Sequence, residues 1–144
     1  MTVFCDTSVL VAGSVRQHPH FGRARPLLEA ACKKRGTFFV SAHSIAEAYS
    51  VLTNLPIQPK IVPAEARLIV EANVLACFQR VAVTSKMYER AVIRCAEKGL
   101  SGGVIYDALL LECALSARVD RLYTFNVRDF QRLAPEWADR IVAP

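Results

Sequence analysis

The sequence predicts an α/β fold: a central, mainly parallel sheet of four to five strands with helices on its faces. Three features carry this. Short β-prone segments run straight into helix-starting residues; the strands are continuously apolar rather than alternating; and no tight-hairpin signal joins them. Strands buried on both faces read as apolar runs, and parallel strands need a long crossover, usually a helix, between them.

The elements follow in order. Thr2 to Cys5 is a first strand, stopped at Asp6-Thr7-Ser8, a cluster that starts helices. Phe21 to Arg35 carries Leu27, Leu28 and Ala31 at helical spacing, with Lys33, Lys34 and Arg35 complementing the dipole of its last turn and Gly36 as the stop. Thr37 to Val40 is a second strand. Ser44 begins a helix whose Ile45, Ala48, Tyr49 and Leu52 recur at i, i+3, i+4 and i+7. Pro56, Pro59 and Pro63 break the chain into a loop before a helix over 64–78. Arg80 to Val83 is a third strand, Ser85 to Lys98 a helix closed by Gly99, and Val104 to Ala117 a helix so apolar that it is largely buried. Arg121 to Phe125 is a fourth strand, Val127 to Leu133 a short helix and Arg140 to Ala143 a fifth strand.

With 144 residues, 53% hydrophobic and 22% charged, the chain reads as one domain over 1–144 with a core large enough to need no staple. No apolar run approaches a membrane span, and no basic leader precedes Asp6, which predicts a cytoplasmic protein. Five cysteines, odd in number and without a CxxC pair, argue against a disulfide framework and a zinc site and read as small buried hydrophobes. The net charge of +5 favours a polyanionic partner such as RNA, because lysines and arginines neutralise phosphates and release counterions.

Ligands of open parallel sheets bind beyond the carboxyl ends of the strands, where this sequence places Asp6, Glu47, Asn126 and Asp129. Asp107 lies inside the apolar helix, with Gly103, Val104, Leu110 and Leu111 three and four positions away, and a carboxylate there is costly unless it is paired or holds a cation. Glu112 has apolar neighbours too and serves as a control on that inference. Hard carboxylate oxygens suit magnesium or manganese, and acids on a basic protein suit phosphodiester hydrolysis. Each acid also has a structural reading. Asp6 suits a helix N-cap, Ser44 to Glu47 a capping box, Asn126 to Asp129 a similar box, and Asp107 a buried salt bridge.

Asp6-Thr7-Ser8-Val9-Leu10, Ser44-Ile45-Ala46-Glu47, Tyr106-Asp107-Ala108 and Thr124-Phe125-Asn126-Val127-Arg128-Asp129-Phe130, in this order along nearly the whole chain, resemble the PIN domain and, more narrowly, the VapC-type toxins of toxin–antitoxin pairs. The resemblance implies a three-layer fold and a magnesium- or manganese-dependent endoribonuclease, usually a homodimer, inhibited by a small antitoxin whose tail lies across an acidic groove. Asp6 and Asp107 would be its principal metal ligands, Glu47 a further acid and Asp129 the carboxy-terminal one. Some relatives carry an aspartate where this chain has Asn126, and an uncharged amide suits orienting water or substrate better than holding metal. Ser8 and Thr124 offer hydroxyls to the same cluster, with turn or cap roles as the alternative.

Arg16, Arg23 and Arg25 flank His18-Pro19-His20 and suit RNA phosphates or a solvated basic face; the two histidines lack an evident third metal ligand. The aromatic residues read as core or interface rather than base-stacking surfaces, since none lies in a basic run. The alternative functions are a housekeeping RNA-processing PIN nuclease, a non-catalytic RNA- or partner-binding PIN module, and a phosphoacceptor domain. The last lacks its paired amino-terminal acids and late lysine.

Overall fold

The computed structural model describes residues 1–144. Its five strands are β1 (Thr2–Cys5), β2 (Thr37–Ser41), β3 (Gln79–Val81), β4 (Arg121–Tyr123) and β5 (Ile141–Val142), joined in the order β3-β2-β1-β4-β5 with every pairing parallel. The helices are α1 (Thr7–Ser14), α2 (Phe21–Cys32), α3 (Ala42–Asn54), α4 (Pro63–Val70), α5 (Ser85–Glu97), α6 (Val104–Ser116) and α7 (Val127–Leu133).

Period-two alternation along β1 divides the core. Val3 and Cys5 face a cluster containing Val9, Leu10, Leu28 and Leu52 from α1 to α3, whereas Phe4 faces one containing Met87, Leu110, Leu111 and Phe130 from α5 to α7. Three layers result. Side chains such as Phe4, Leu28 and Leu111 are completely or almost completely enclosed, and each contributes about 1.5–3 kcal/mol over its exposed state. Between α1 and α2 the approach depends on Gly13, where a Cβ would stand 2.7 Å from a methyl of Leu28.

The structure moves several predicted boundaries. α3 begins at Ala42, with Ser41 as the cap whose hydroxyl accepts the His43 amide at 3.1 Å, so Ser44 is a buried residue within the helix and no capping box reaches Glu47. The helix over 64–78 is divided: α4 ends at Val70 and a wider π turn, Glu71–Leu75, follows and buries Val74. α2 stops at Cys32, leaving Lys33, Lys34 and Arg35 beyond it.

The cysteine reading holds for Cys5, Cys95 and Cys113, which are buried thiols, and fails for Cys32 and Cys77, which form a disulfide. The 45-residue separation gives no hint of it. These two meet because β2 and β3 are neighbours in the sheet, which brings the end of α2 beside the segment entering β3.

Candidate active site

β1 is the central strand and β2 and β4 flank it, so whatever follows these three strands gathers at one edge of the sheet. Asp6 directly follows β1, and its amide donates to the Tyr123 carbonyl at 3.0 Å, tying it to the end of β4. Glu47 lies in the second turn of α3, after β2. Thr124 and Asn126 follow β4, Asp129 is in the first turn of α7, and Asp107 is in the first turn of α6.

Asp6 is the most enclosed of the four acids, at 4% exposure. It occupies the N-cap position of α1 without closing a side-chain capping bond. Its Oδ2 instead accepts the hydroxyls of Ser8 and Thr124, each at 2.7 Å. Those hydroxyls are themselves fixed by amides: Ser8 Oγ accepts from Phe125 N at 3.1 Å and Thr124 Oγ1 from Asn126 N at 2.9 Å. Two relays thus converge on one carboxylate oxygen, and no side chain donates to the other. Burial pushes the Asp6 carboxyl above the ordinary range, and the hydroxyls and the nearby amides of Thr7 and Ser8 oppose that rise.

Asp107 contacts no cation. Asn126 Nδ2 donates to its Oδ2 at 2.8 Å and to Asp129 Oδ2 at 3.0 Å, so one amide holds two carboxylates together. This occupies the amide hydrogens of Asn126 and leaves its Oδ1 free, and the capping-box reading of Asn126 to Asp129 fails because that oxygen accepts no backbone amide at the N-cap of α7. Burial, followed by the charges of Asp6, Asp129 and Glu47, pushes Asp107 up to about 7. Glu47 also rises, first by burial and then through Asp6, while His43, whose Nε2 lies 3.3 Å from its Oε2, opposes this. Asp129 meets Arg132 at 3.3 Å on its outer side.

Asp107 is only half-buried because α6 starts at Val104, which puts it in the opening turn at the rim of the sheet. Ser8, Thr124 and Asn126 belong to the site. Arg16 does not: it is exposed in the loop after α1 and lines no part of the cleft.

That cleft, about 430 Å³, is lined by Asp6, Ser8, Glu47, Asp107 and Asn126 and walled by His18, His20 and Phe125. A second hollow of about 510 Å³ shares Glu47 and Asp107 with it and is walled by His43 and Tyr106. These aromatic walls were missed from sequence. His20 stacks on Phe125 at 4.4 Å with the Arg23 guanidinium over that ring at 5.5 Å, and Tyr106 lies parallel to His43 at 5.9 Å. His43, four residues before Glu47 on a helix, had a readable signal in its i, i+4 pairing. Phe125 and Tyr106 had none beyond lying beside the acid motifs.

The donors suit a hard divalent cation: all are oxygens, they converge, and Asp107 carries the strain of negative charge that nothing in the chain neutralises. No three acid, histidine or cysteine side chains stand close enough to form a ready-made coordination shell. Such a site needs water to complete it, which is the usual state of magnesium on one or two carboxylates.

The PIN domain family model matches residues 3–135. Ribonuclease VapC40 of Mycobacterium tuberculosis, in two strains, is 36% identical over 139 residues, covering 91% of this chain and 93% of its own length. Among solved structures, Mycobacterium tuberculosis VapC20, a sarcin-ricin loop cleaving toxin, aligns with a TM-score of 0.68 at 18% identity, over 88% of this chain and 92% of its own. VapBC2 of Rickettsia felis, bound to a DNA fragment from its promoter, aligns at 0.66 and 20% identity, over 93% and 94%. Ribonucleases of this kind are generally dependent on a divalent metal, and the sheet order, the converging acids and a match over nearly the whole chain have one source: the protein belongs to the PIN-domain family, among the VapC-type ribonucleases.

Proposed function

We propose that residues 1–144 act as one unit, a magnesium- or manganese-dependent endoribonuclease that hydrolyses RNA phosphodiester bonds as the toxin of a toxin–antitoxin pair. The observation that carries the catalytic reading is Asp6, a buried carboxylate with one oxygen saturated by two amide-anchored hydroxyls and the other left without a side-chain donor at the cleft. A carboxylate preorganised in this way loses no rotamer freedom when it takes up a ligand. Asp6 and Asp107 are the principal metal ligands, with Glu47 and Asp129 as further acids. A divalent cation held there supplies Lewis-acid stabilisation of charge on the phosphate and lowers the pKa of water.

The remaining work belongs to the chain. Ser8 and Thr124 fix the Asp6 rotamer, Asn126 sets the spacing of Asp107 and Asp129, and the His43–Glu47 pair holds the Glu47 carboxylate at the junction of the two hollows. The partners of this reading are RNA, a cognate antitoxin and a second copy of the chain. No helix is long and apolar enough to cross a membrane, and action on RNA together with an antitoxin supports a cytoplasmic location as part of this reading.

Purified protein incubated with total RNA should cut it at unpaired sites only when magnesium or manganese is supplied. Asp6→Ala and Asp107→Ala should each lower the rate by on the order of 10³-fold. Undiminished cutting by both variants would overturn the assignment. Co-purification with the product of an adjacent short reading frame, and loss of cutting in that complex, would establish the toxin role.

A further inference from the structure

We propose that Tyr106, lying on His43, is a base-stacking platform for the nucleotide on one side of the cut, so that the substrate must be unpaired and unstacked at that step. The proposal rests on the nuclease reading above. It starts from the shape of the site: two hollows meet at Glu47 and Asp107, and an RNA strand whose scissile phosphate sits at these acids must lay one neighbouring nucleotide in each.

The aromatic groups in the two hollows differ in availability. Phe125 is already engaged by His20 and by the Arg23 guanidinium. Tyr106 is 57% exposed, and its only aromatic partner is the parallel imidazole of His43. An exposed tyrosine on the first turn of an otherwise apolar helix gains nothing from the core, and it directly precedes a metal-ligand candidate. The ring under it is held in place: the His43 amide caps on Ser41 Oγ and its Nε2 pairs with Glu47. Tyr106 therefore presents a π-face backed by an anchored imidazole and next in sequence to Asp107. Every base has a matching face, so the platform selects for an unpaired nucleotide more than for a particular base. A duplex, with its bases already stacked on one another, has none to offer.

The test is kinetic and uses single-stranded RNA that the wild-type protein cuts, with an abasic nucleotide placed in turn at each position around the cut. Wild type should lose roughly tenfold or more in kcat/KM at one position adjacent to the cut, mainly through KM. Tyr106→Leu, which keeps the bulk and removes the ring, should lose a similar factor on intact RNA and show no further loss at that position, while Tyr106→Phe should behave as wild type. Equal abasic penalties in wild type and Tyr106→Leu would overturn the proposal, because independent sites add.

Should wild-type protein cut no RNA, the nuclease reading fails and the platform is read by binding alone. Mixed-sequence single-stranded RNA carrying 2-aminopurine should be quenched by wild type and by Tyr106→Phe. Quenching retained in full by Tyr106→Leu would remove the platform.

Discussion

Asp107 and Glu112 lie five residues apart on the same apolar helix, and the chain treats them in opposite ways. Glu112, at 5% exposure, receives Arg90 Nε at 3.0 Å and Arg94 Nε at 3.4 Å, and Arg94 goes on to the Leu133 carbonyl and Glu136. Asp107 is less enclosed but has no cation within reach, and it is surrounded by Asp6, Asp129 and Glu47. Burial alone therefore does not separate the two. Glu112 is the deeper of the two and is complete within the chain, whereas Asp107 is shallower and short of positive charge. What distinguishes a site is an electrostatic deficit that a ligand from outside can fill.

Removing each acid in turn should give opposite results, and this is the largest effect expected. Asp107→Ala should lower cutting by on the order of 10³-fold, as above, and leave a folded protein. Glu112→Gln should leave metal-dependent cleavage per folded molecule unchanged while destabilising the protein by about 3 kcal/mol, since breaking a buried ion pair strands its partner. Arg94 keeps Glu136 and both arginines reach solvent, which holds the cost at the low end of that range. Urea unfolding beside a cleavage assay reads both quantities. A Glu112→Gln protein that is stable but inactive would dissolve the contrast.

The next effect is a pH dependence that only the acid cluster should show. Asp107 titrates at about 7 in the folded protein against 3.8 as an ordinary aspartate, so between these values the folded state holds a proton that the unfolded chain has released. Its contribution to stability is therefore present at low pH and lost as pH rises through about 7. Asp6 and Glu47 are shifted in the same direction. Metal-free protein should thus melt progressively lower between about pH 5 and pH 8, magnesium should restore the loss most fully at the upper end, and Asp107→Asn should flatten the curve and raise melting at pH 8. Metal affinity should fall as pH drops through the same range, because the ligands must be deprotonated. A melting temperature that rises with pH in the absence of metal, or an Asp107→Asn protein less stable than wild type at pH 8, would mean that an unrecognised cation already serves Asp107.

The contrast between the two acids was only half legible in the sequence. The strand and helix order was readable, because apolar strands feeding helices have few other solutions, and so was the gathering of acids at strand ends. Asp107 was singled out as a carboxylate on an apolar face without a cation, and it has none; the start of its helix at Val104 was readable too, but not that this first turn lies at the rim, where the residue is half-buried. Glu112 looked the same in sequence, since Arg90 and Arg94 reach it from α5, across a helix pairing that no local pattern encodes. The Asp6 relays were hidden for a similar reason. Thr124 is 118 residues away and arrives only because β4 lies beside β1. The Cys32–Cys77 pair likewise depends on strand order rather than spacing.

The smallest effect concerns Asn126, the one group that bridges two of the acids without neutralising them. Its amide gives one hydrogen to Asp107 and one to Asp129, supporting both carboxylates while adding no charge. Asn126→Asp would replace two donors by acceptors and bring another negative charge to the cluster. Without metal the protein should melt lower at pH 8 by a few degrees, roughly the 2–4 °C that about 1 kcal/mol represents in a domain of this size. With magnesium the loss should be recovered at a lower ion concentration than wild type requires, since the added carboxylate strengthens binding to the folded state. A second acid introduced beside Glu112, which is already paired, would have no metal to recover the loss. Melting curves across a magnesium titration separate the two cases. An Asn126→Asp protein as stable as wild type without metal would show that the amide is dispensable, and that the acids tolerate one another through solvent rather than through this bridge.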